Sequence, residues 1–206
     1  MRVPNLLIAT HNRWKVEEFR RLLGLIPYNL ITPDDVNLNL KVEESGETFQ
    51  ENAFLKAHEY SKMTGILSVA DDSGIEVDAL GGEPGVYSAR FGGPDLTDEQ
   101  RVQLLLERLG DEPWDQRSCR YRVAMVLAWP SGETMLFEGA LEGLVAFKPK
   151  GENGFGYDPV FYLPDHGQTV AELSDVGKDQ ISHRGQASRL LESFLADFEG
   201  IASKLL

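Results

Sequence analysis

The sequence predicts an α/β fold in which helices flank a mixed β-sheet. A short apolar run at residues 6–9 is followed at once by a helical pattern, which is typical of a strand-turn-helix unit. Thr48 and Thr97 each have a glutamate or glutamine three residues later, the capping-box signature of a helix start. Residues 119–129 then alternate between apolar and polar side chains, a turn follows at residues 130–132, and strands are expected over residues 134–137 and 141–147, as in a hairpin-rich sheet. We therefore expect both parallel and antiparallel strand pairs.

Length, charge and cysteine content limit the classes of protein. A chain of 206 residues with 42% hydrophobic residues can form one domain with a buried core. Its net charge of −13 disfavours binding along a nucleic-acid backbone, which requires a basic surface, so no nucleic-acid partner is expected. No apolar run is long enough for a membrane span, so no membrane partner is expected. A single cysteine, Cys119, favours a reducing, cytoplasmic location.

The polar turn after the first predicted strand is a candidate phosphate site. Apolar side chains recur at helical spacing over residues 16–26, and Asn12 is a candidate N-cap for this helix. Lys15 falls in the first helical turn, where its charge opposes the helix dipole. An anion bound at the helix N-terminus would explain that placement. A lysine whose head points into solvent is the alternative, and the turn lacks the glycines of a P-loop.

Two glutamates precede the second predicted helix. Residues 38–42 alternate weakly and predict a short strand, after which Glu43 and Glu44 lie in a loop. A helix is expected over residues 48–64, and Lys56 within it has the pattern of a surface lysine. The two glutamates fit either a solvated charge run or a metal ligand.

Two adjacent aspartates follow a predicted buried strand at residues 66–70. Asp71 and Asp72 repel each other unless a cation or a shared proton relieves them, so the pair suggests a hard metal ion. One carboxylate would then be free to act as a base. An acidic turn is the alternative, because the next residues are serine and glycine, which are common in turns. A second, half-exposed strand is expected over residues 75–79.

A glycine-rich loop at residues 151–159 holds two aromatic rings and an acid. Phe155 and Tyr157 lie among the glycines, next to Asp158. Such a loop allows the backbone to approach a ligand while a ring stacks on it. A simple connection with aromatic anchors fits the pattern equally well.

Basic residues precede the last predicted helix, which is expected over residues 186–198. Lys178, His183 and Arg184 form this group. A lone histidine is usually structural, but a basic cluster at a helix entrance favours an anionic ligand.

In their order along the chain, these motifs resemble the Ham1/inosine triphosphate pyrophosphatase family. The resemblance covers nearly the whole chain, and one departure is His11, where many members have glycine. The motifs that carry it are Thr10-His11-Asn12 with Lys15 and Glu18, residues 47–53 with Lys56, Ala70-Asp71-Asp72-Ser73-Gly74, residues 80–82 and 84–90, Gly154-Phe155-Gly156-Tyr157-Asp158-Pro159, and Ser182-His183-Arg184-Gly185.

The resemblance implies a single domain over residues 1–206, with an elongated mixed sheet and an active-site cleft between two lobes. It also implies a homodimeric enzyme that uses Mg²⁺ to hydrolyse the noncanonical purine nucleotides ITP, dITP and XTP. The products would be the nucleoside monophosphate and pyrophosphate.

Site roles also follow from the resemblance, position by position. Asp72 would be the general base and would hold Mg²⁺ together with Glu44, although Glu43 is an alternative ligand. The implied substrate contacts are Thr10, Asn12 and Lys15 with the triphosphate, Lys56, Ser73 and Lys178 with phosphate or sugar, Phe155, Gly156, Tyr157 and Asp158 around the base, and His183 and Arg184 at the base edge.

Three other functions compete with this interpretation. A Maf-type diphosphatase would act on modified pyrimidine or other nucleotides. A nucleotide sensor would bind ITP without turnover. An RNA-binding module would use the aromatic residues for stacking, although the acidic composition speaks against it.

Overall fold

The computed structural model describes residues 3–202, and the side chains of residues 3–197. Among these residues, seven strands form one sheet: β1 (Asn5–Ile8), β2 (Asn29–Ile31), β3 (Ser68–Val77), β4 (Ser118–Ala128), β5 (Thr134–Val145), β6 (Phe161–Leu163) and β7 (Gln168–Thr169). Their order in the sheet is β2-β1-β3-β4-β5-β6-β7. Strand β1 pairs in parallel with β2 and β3, whereas β6 pairs antiparallel with β5 and β7. The predicted mixed α/β sheet is therefore confirmed.

The helices begin and end close to the local signals in the sequence. They are α1 (Arg13–Leu22), α2 (Phe49–Thr64), α3 (Asp98–Leu109), α4 (Asp175–Ile181) and α5 (His183–Ala202), with short 3-10 helices at Asp34–Val36, Asp78–Leu80, Gly85–Arg90, Trp114–Gln116, Asp158–Val160 and Val170–Glu172. Both predicted capping boxes form, at Thr48 and Thr97. Helix α5 begins three residues earlier than predicted, so His183 and Arg184 lie in its first turn.

The strand predicted over residues 38–42 is wrong, because this segment forms no strand. The carbonyl oxygen of Leu40 instead accepts hydrogen bonds from the side chains of His11 and Tyr60. Strands β2, β6 and β7 were not predicted, because two or three residues are too few to show an alternating pattern.

Strand β3 continues through the two aspartates, so the predicted break between two strands is absent. Asp71 and Asp72 therefore lie in a strand, and the acidic-turn alternative is wrong. Gly74 is required for a close approach: a Cβ there would collide with Ser88 Oγ and the carbonyl oxygen of Gly85.

Strand β5 is also continuous. The two strands predicted over residues 134–137 and 141–147 form this single strand.

The described chain divides into two compact units. The first contains the chain up to Asp72, the segment Ala124–Glu138 and the chain from Gln186 onward. The second contains Ser73–Val123 and Gly139–Gly185. No helix among the described residues combines the length and the apolar character that a membrane crossing requires. The assignment of one domain over residues 1–206 stays a prediction.

Candidate active site

The first unit holds a polar turn at the N-terminal end of α1. Asn12 Oδ1 accepts hydrogen bonds from the backbone N–H groups of Trp14 and Lys15, at 3.0 and 3.3 Å. Because this oxygen caps the helix, a contact between Asn12 and a phosphate must come from Nδ2. Thr10 Oγ1 accepts a hydrogen bond from the backbone N–H of Asn12 at 3.1 Å. Among the described residues other than glycine, positive φ occurs at Asn37 and not in this turn, so His11 fits without strain.

Lys15 is an ion-pair partner rather than a solvated lysine. Its Nζ lies 3.0 Å from Asp71 Oδ1 and 3.4 Å from the backbone oxygen of the same residue. Only 15% of the Lys15 side chain is exposed, and none of the Asp71 side chain is. Asp71 therefore explains a cation in the first turn of α1 without a bound anion, which neither interpretation of the sequence foresaw.

Two carboxylates converge on Lys56 in the same unit. Lys56 Nζ lies 2.6 Å from Glu44 Oε1 and 3.6 Å from Asp72 Oδ1. Only 12% of the Lys56 side chain is exposed, so the surface-lysine pattern was misleading. Burial lowers the pKa of Lys56, but the charges of Asp72, Asp71 and Glu44 together raise it above its usual value. Glu43, by contrast, is exposed.

Burial also controls the protonation of Asp72. Burial raises the pKa of Asp72, the charges of Lys56 and Lys15 lower it, and those of Glu44 and Asp71 raise it again, so that the net shift is upward. The carboxylates of Asp71, Asp72 and Glu44 each lie within ion-pair distance of Lys15 or Lys56 here. Carboxylate oxygens clustered in this way suit a divalent cation.

The second unit holds a buried carboxylate with three hydrogen-bond donors. Asp158 Oδ1 accepts from Tyr121 Oη at 3.0 Å. Asp158 Oδ2 accepts from Lys178 Nζ at 2.7 Å and from the backbone N–H of Phe155 at 3.0 Å. Burial raises the pKa of Tyr121 well above its usual value, which keeps its hydroxyl a proton donor. The carboxylate therefore connects the glycine-rich loop to β4 and α4.

Two cations lie against the Phe155 ring, which is only partly buried. The centre of the ring is 4.8 Å from Lys178 Nζ and 5.7 Å from Arg184 Cζ, within the range of cation–π attraction. Arg184 Nη2 also donates a hydrogen bond to Ser73 Oγ at 2.7 Å. A planar base could stack on such a ring, with guanidinium donors close by.

The remaining predicted loop residues anchor the loop. Tyr157 is buried, and its hydroxyl donates to the backbone oxygen of Ser88 at 2.9 Å. Gly156 has φ 63°, and its N–H donates to Asp98 Oδ2 at 2.9 Å.

His183, in the first turn of α5, is buried and stacks on Tyr121, with ring centres 4.8 Å apart.

Comparison with known proteins decides the family. The sequence model of the Ham1 family matches residues 6–194. The chain belongs to the Ham1 family. It is 49% identical over 195 residues to a dITP/XTP pyrophosphatase of Exiguobacterium sibiricum, covering 95% of this chain and 98% of that one. Over 193 residues it is 45% identical to a dITP/XTP pyrophosphatase of Bacillus licheniformis, with 94% and 98% coverage.

A solved structure supports the same assignment. The Staphylococcus aureus Ham1 protein superposes with a TM-score of 0.85 at 40% identity, and the match covers 94% of this chain and 98% of that one. The family predicted from the motifs is therefore confirmed.

The structure of this Ham1-family protein adds polar residues that sequence reasoning did not place at the site. Asn52 contacts Asp72, Tyr121 contacts Asp158, and Asp98 contacts the glycine-rich loop. Asn52 lies inside a recognised motif, which was a usable signal. Tyr121 looks in the sequence like any other inward-facing residue of a strand. Asp98 looks like an acidic residue that stabilises the N-terminal end of α3. Neither could therefore have been assigned to the site from the sequence.

Proposed function

We propose that this Ham1-family protein hydrolyses the noncanonical purine nucleotides ITP, dITP and XTP to the nucleoside monophosphate and pyrophosphate. Relatives at 45% to 49% identity that span almost the same length are dITP/XTP pyrophosphatases. The structural observation that carries the proposal is the convergence of Glu44 and Asp72 on Lys56, beside the polar turn of α1. This arrangement combines acidic and basic groups as a metal-assisted attack on a triphosphate requires.

The donor set in the first unit fits Mg²⁺. Among the described residues, no group of three or more His, Cys, Asp and Glu side chains is arranged to hold a metal unaided. Mg²⁺ in nucleotide enzymes commonly takes one or two carboxylates and completes its shell with water and phosphate oxygens. We assign Glu44 and Asp72 as those carboxylates. When bound, the ion would neutralise phosphate charge and help to orient the attacking water.

The residues of the first unit would carry out the hydrolysis. Asp72 takes a proton from the attacking water, whose oxygen bonds to the α-phosphorus. The bond from the α-phosphorus to the α–β bridging oxygen breaks, and pyrophosphate leaves. Lys15 and Lys56 stabilise the charge that grows on the leaving group. Thr10 and Asn12 hold the phosphates at the N-terminal end of α1, where backbone N–H groups favour anions.

The residues of the second unit would recognise the base. The base stacks on Phe155, while Lys178 and Ser73 are assigned to phosphate or sugar. His183 and Arg184 donate hydrogen bonds to the 6-keto oxygen that hypoxanthine and xanthine share. Adenine carries an amino group at that position, so both partners would present donors and the buried protein donors would lose their bonds. Such a mismatch discriminates by about 10⁴-fold in favourable cases.

Phosphorus NMR in water enriched with ¹⁸O tests the reaction directly. The expected products from ITP and Mg²⁺ are IMP that carries ¹⁸O and unlabelled pyrophosphate, while ATP is nearly untouched. Guanine shares the 6-keto oxygen, so rejection of GTP would have to act at its 2-amino group. IDP with labelled orthophosphate would show attack at the γ-phosphorus and would contradict the mechanism. The homodimer, the cytoplasmic location and the absence of a nucleic-acid partner stay predictions.

A further inference from the structure

Asn52 is a buried polar residue with no assigned role. It lies in the first turns of α2, and its side chain is fully buried. A buried amide lowers stability unless its hydrogen bonds are satisfied. Asn52 Oδ1 accepts from the backbone N–H of Gly46 at 2.8 Å, and Nδ2 donates to Asp72 Oδ2 at 3.2 Å.

The contact with Gly46 determines the orientation of the amide. A backbone N–H can only donate, so the Asn52 atom next to it must be the oxygen. Nδ2 then has to face Asp72, and it also lies 3.5 Å from the backbone oxygen of Gly46. A Cβ at Gly46 would be 2.8 Å from Asn52 Oδ1, so a larger residue there would push the amide away.

This geometry distinguishes the two oxygens of the Asp72 carboxylate. Oδ2 is engaged by Asn52, whereas Oδ1 faces Lys56 at 3.6 Å. A carboxylate otherwise rotates easily about its last bond, because that torsion has a broad energy minimum. Asn52 thus restrains the rotation and directs Oδ1 toward Lys56.

The same amide also restrains the segment that carries Glu44. Two hydrogen bonds join Asn52 to the backbone of Gly46, which lies two residues after Glu44. One side chain therefore contacts Asp72 directly and holds the loop of Glu44 through its backbone.

We propose that Asn52 is a positioning residue that fixes the Asp72 carboxylate and the Glu44 segment for metal binding and proton transfer. The inference rests on the proposed function, because it assigns Glu44 and Asp72 as metal ligands. Partners that orient metal ligands are typically worth 10- to 100-fold in metal affinity or activity.

Two variants separate the contacts. Asn52→Asp keeps an acceptor for the N–H of Gly46 but replaces the donor to Asp72 with a carboxylate that repels it, and kcat for ITP should fall about 10- to 100-fold with KM within about threefold. Asn52→Ala removes both contacts, and electron paramagnetic resonance should show Mn²⁺ binding about 10-fold weaker without nucleotide. Asn29→Asp and Asn29→Ala are matched controls, because Asn29 makes an exposed side-chain hydrogen bond to Asn5 in the same unit.

The outcomes distinguish this inference from the proposed function. Wild-type turnover of ITP combined with unchanged kcat and Mn²⁺ affinity in both variants would overturn the role of Asn52 alone. Weaker Mn²⁺ binding in Asn52→Ala, with no turnover by the wild type, would support the role of Asn52 and contradict the ITP reaction. No ITP turnover by the wild type, combined with unchanged Mn²⁺ binding in Asn52→Ala, would overturn both the proposed reaction and the role of Asn52. If Asn52→Ala does not fold, the kinetics of Asn52→Asp decide.

Discussion

Asp72 in the first unit and Asp158 in the second are both buried aspartates next to a lysine, yet their surroundings differ. Asp158 accepts three hydrogen bonds at 3.0 Å or less. Asp72 accepts one longer bond from Asn52, at 3.2 Å, and has Lys56 at 3.6 Å.

With Asp72 proposed as the base, the difference indicates how a protein separates a reactive carboxylate from a structural one. The three internal donors of Asp158 use three of the roughly four lone-pair sites of its carboxylate. Those of Asp72 are less fully used, and burial raises the pKa of this side chain. A general base must reach its proton with a lone pair that is available. The acceptor capacity left after folding therefore favours Asp72 as the base.

The largest expected effect is that of Asp72→Asn. The amide can neither accept the proton nor replace the anionic metal ligand, so kcat for ITP should fall on the order of 10⁴-fold. The melting temperature should stay the same or rise, because a charge that burial disfavours is removed. Stopped assays of pyrophosphate release and calorimetry measure the two effects. Asp165→Asn is the control, because Asp165 is exposed. Near-normal turnover of Asp72→Asn would contradict the base assignment.

Removal of divalent metal should have the next largest effect. Excess EDTA is expected to lower ITP turnover on the order of 10³-fold, because several kcal/mol of charge stabilisation are lost. Excess Mg²⁺ should restore the rate. Sodium chloride at matched ionic strength is the control, and turnover that survives exhaustive chelation would contradict a metal requirement.

Asp158→Asn should affect stability more than turnover, the opposite of what is expected for Asp72→Asn. The change leaves the buried Lys178 ammonium without its carboxylate, so the free energy of unfolding should fall by roughly 3 kcal/mol. Among the molecules that remain folded, KM for ITP should rise more than kcat falls, because the Phe155 loop is displaced. Urea unfolding and steady-state kinetics measure both quantities. Unchanged stability with a loss of turnover like that of Asp72→Asn would show that Asp158 is reactive and would break the comparison.

Arg184→Ala tests the base-recognition assignment of the second unit. Loss of the donor to the 6-keto oxygen should lower kcat/KM about 10-fold or more for ITP, and much less for ATP. A melting curve controls for misfolding, because the Arg184 side chain is buried. An equal loss for ITP and ATP would indicate a phosphate contact instead.

Local signals in the sequence predicted the family and every α-helix except α4, but not the partners of the charged residues. The capping boxes at Thr48 and Thr97 depend on residues three positions apart, so they can be read directly. Lys15 and Asp71 are 56 positions apart, and Arg184 and Ser73 are 111 apart. Contacts at such separations depend on how the strands and helices pack, which periodicity does not encode. The predicted break in β3 was wrong for a related reason. Asp, Ser and Gly favour turns locally, but pairing within the sheet overrides that preference.

Tyr121→Phe should have the smallest effect, and it tests whether the donors of Asp158 act together. The variant removes one hydrogen bond to Asp158 Oδ1 but keeps the ring that stacks on Phe161 at 4.3 Å and on His183 at 4.8 Å. Two donors to Asp158 remain, so the free energy of unfolding should fall by about 1–2 kcal/mol. KM for ITP should rise a few-fold at unchanged kcat, because the loop shifts while the first unit is untouched. Tyr162→Phe is the matched control in the same unit, since its ring packs edge-on against Trp114, away from Asp158. A loss as large as that of Asp158→Asn would mean that the tyrosine hydroxyl, rather than Lys178, holds the carboxylate in place.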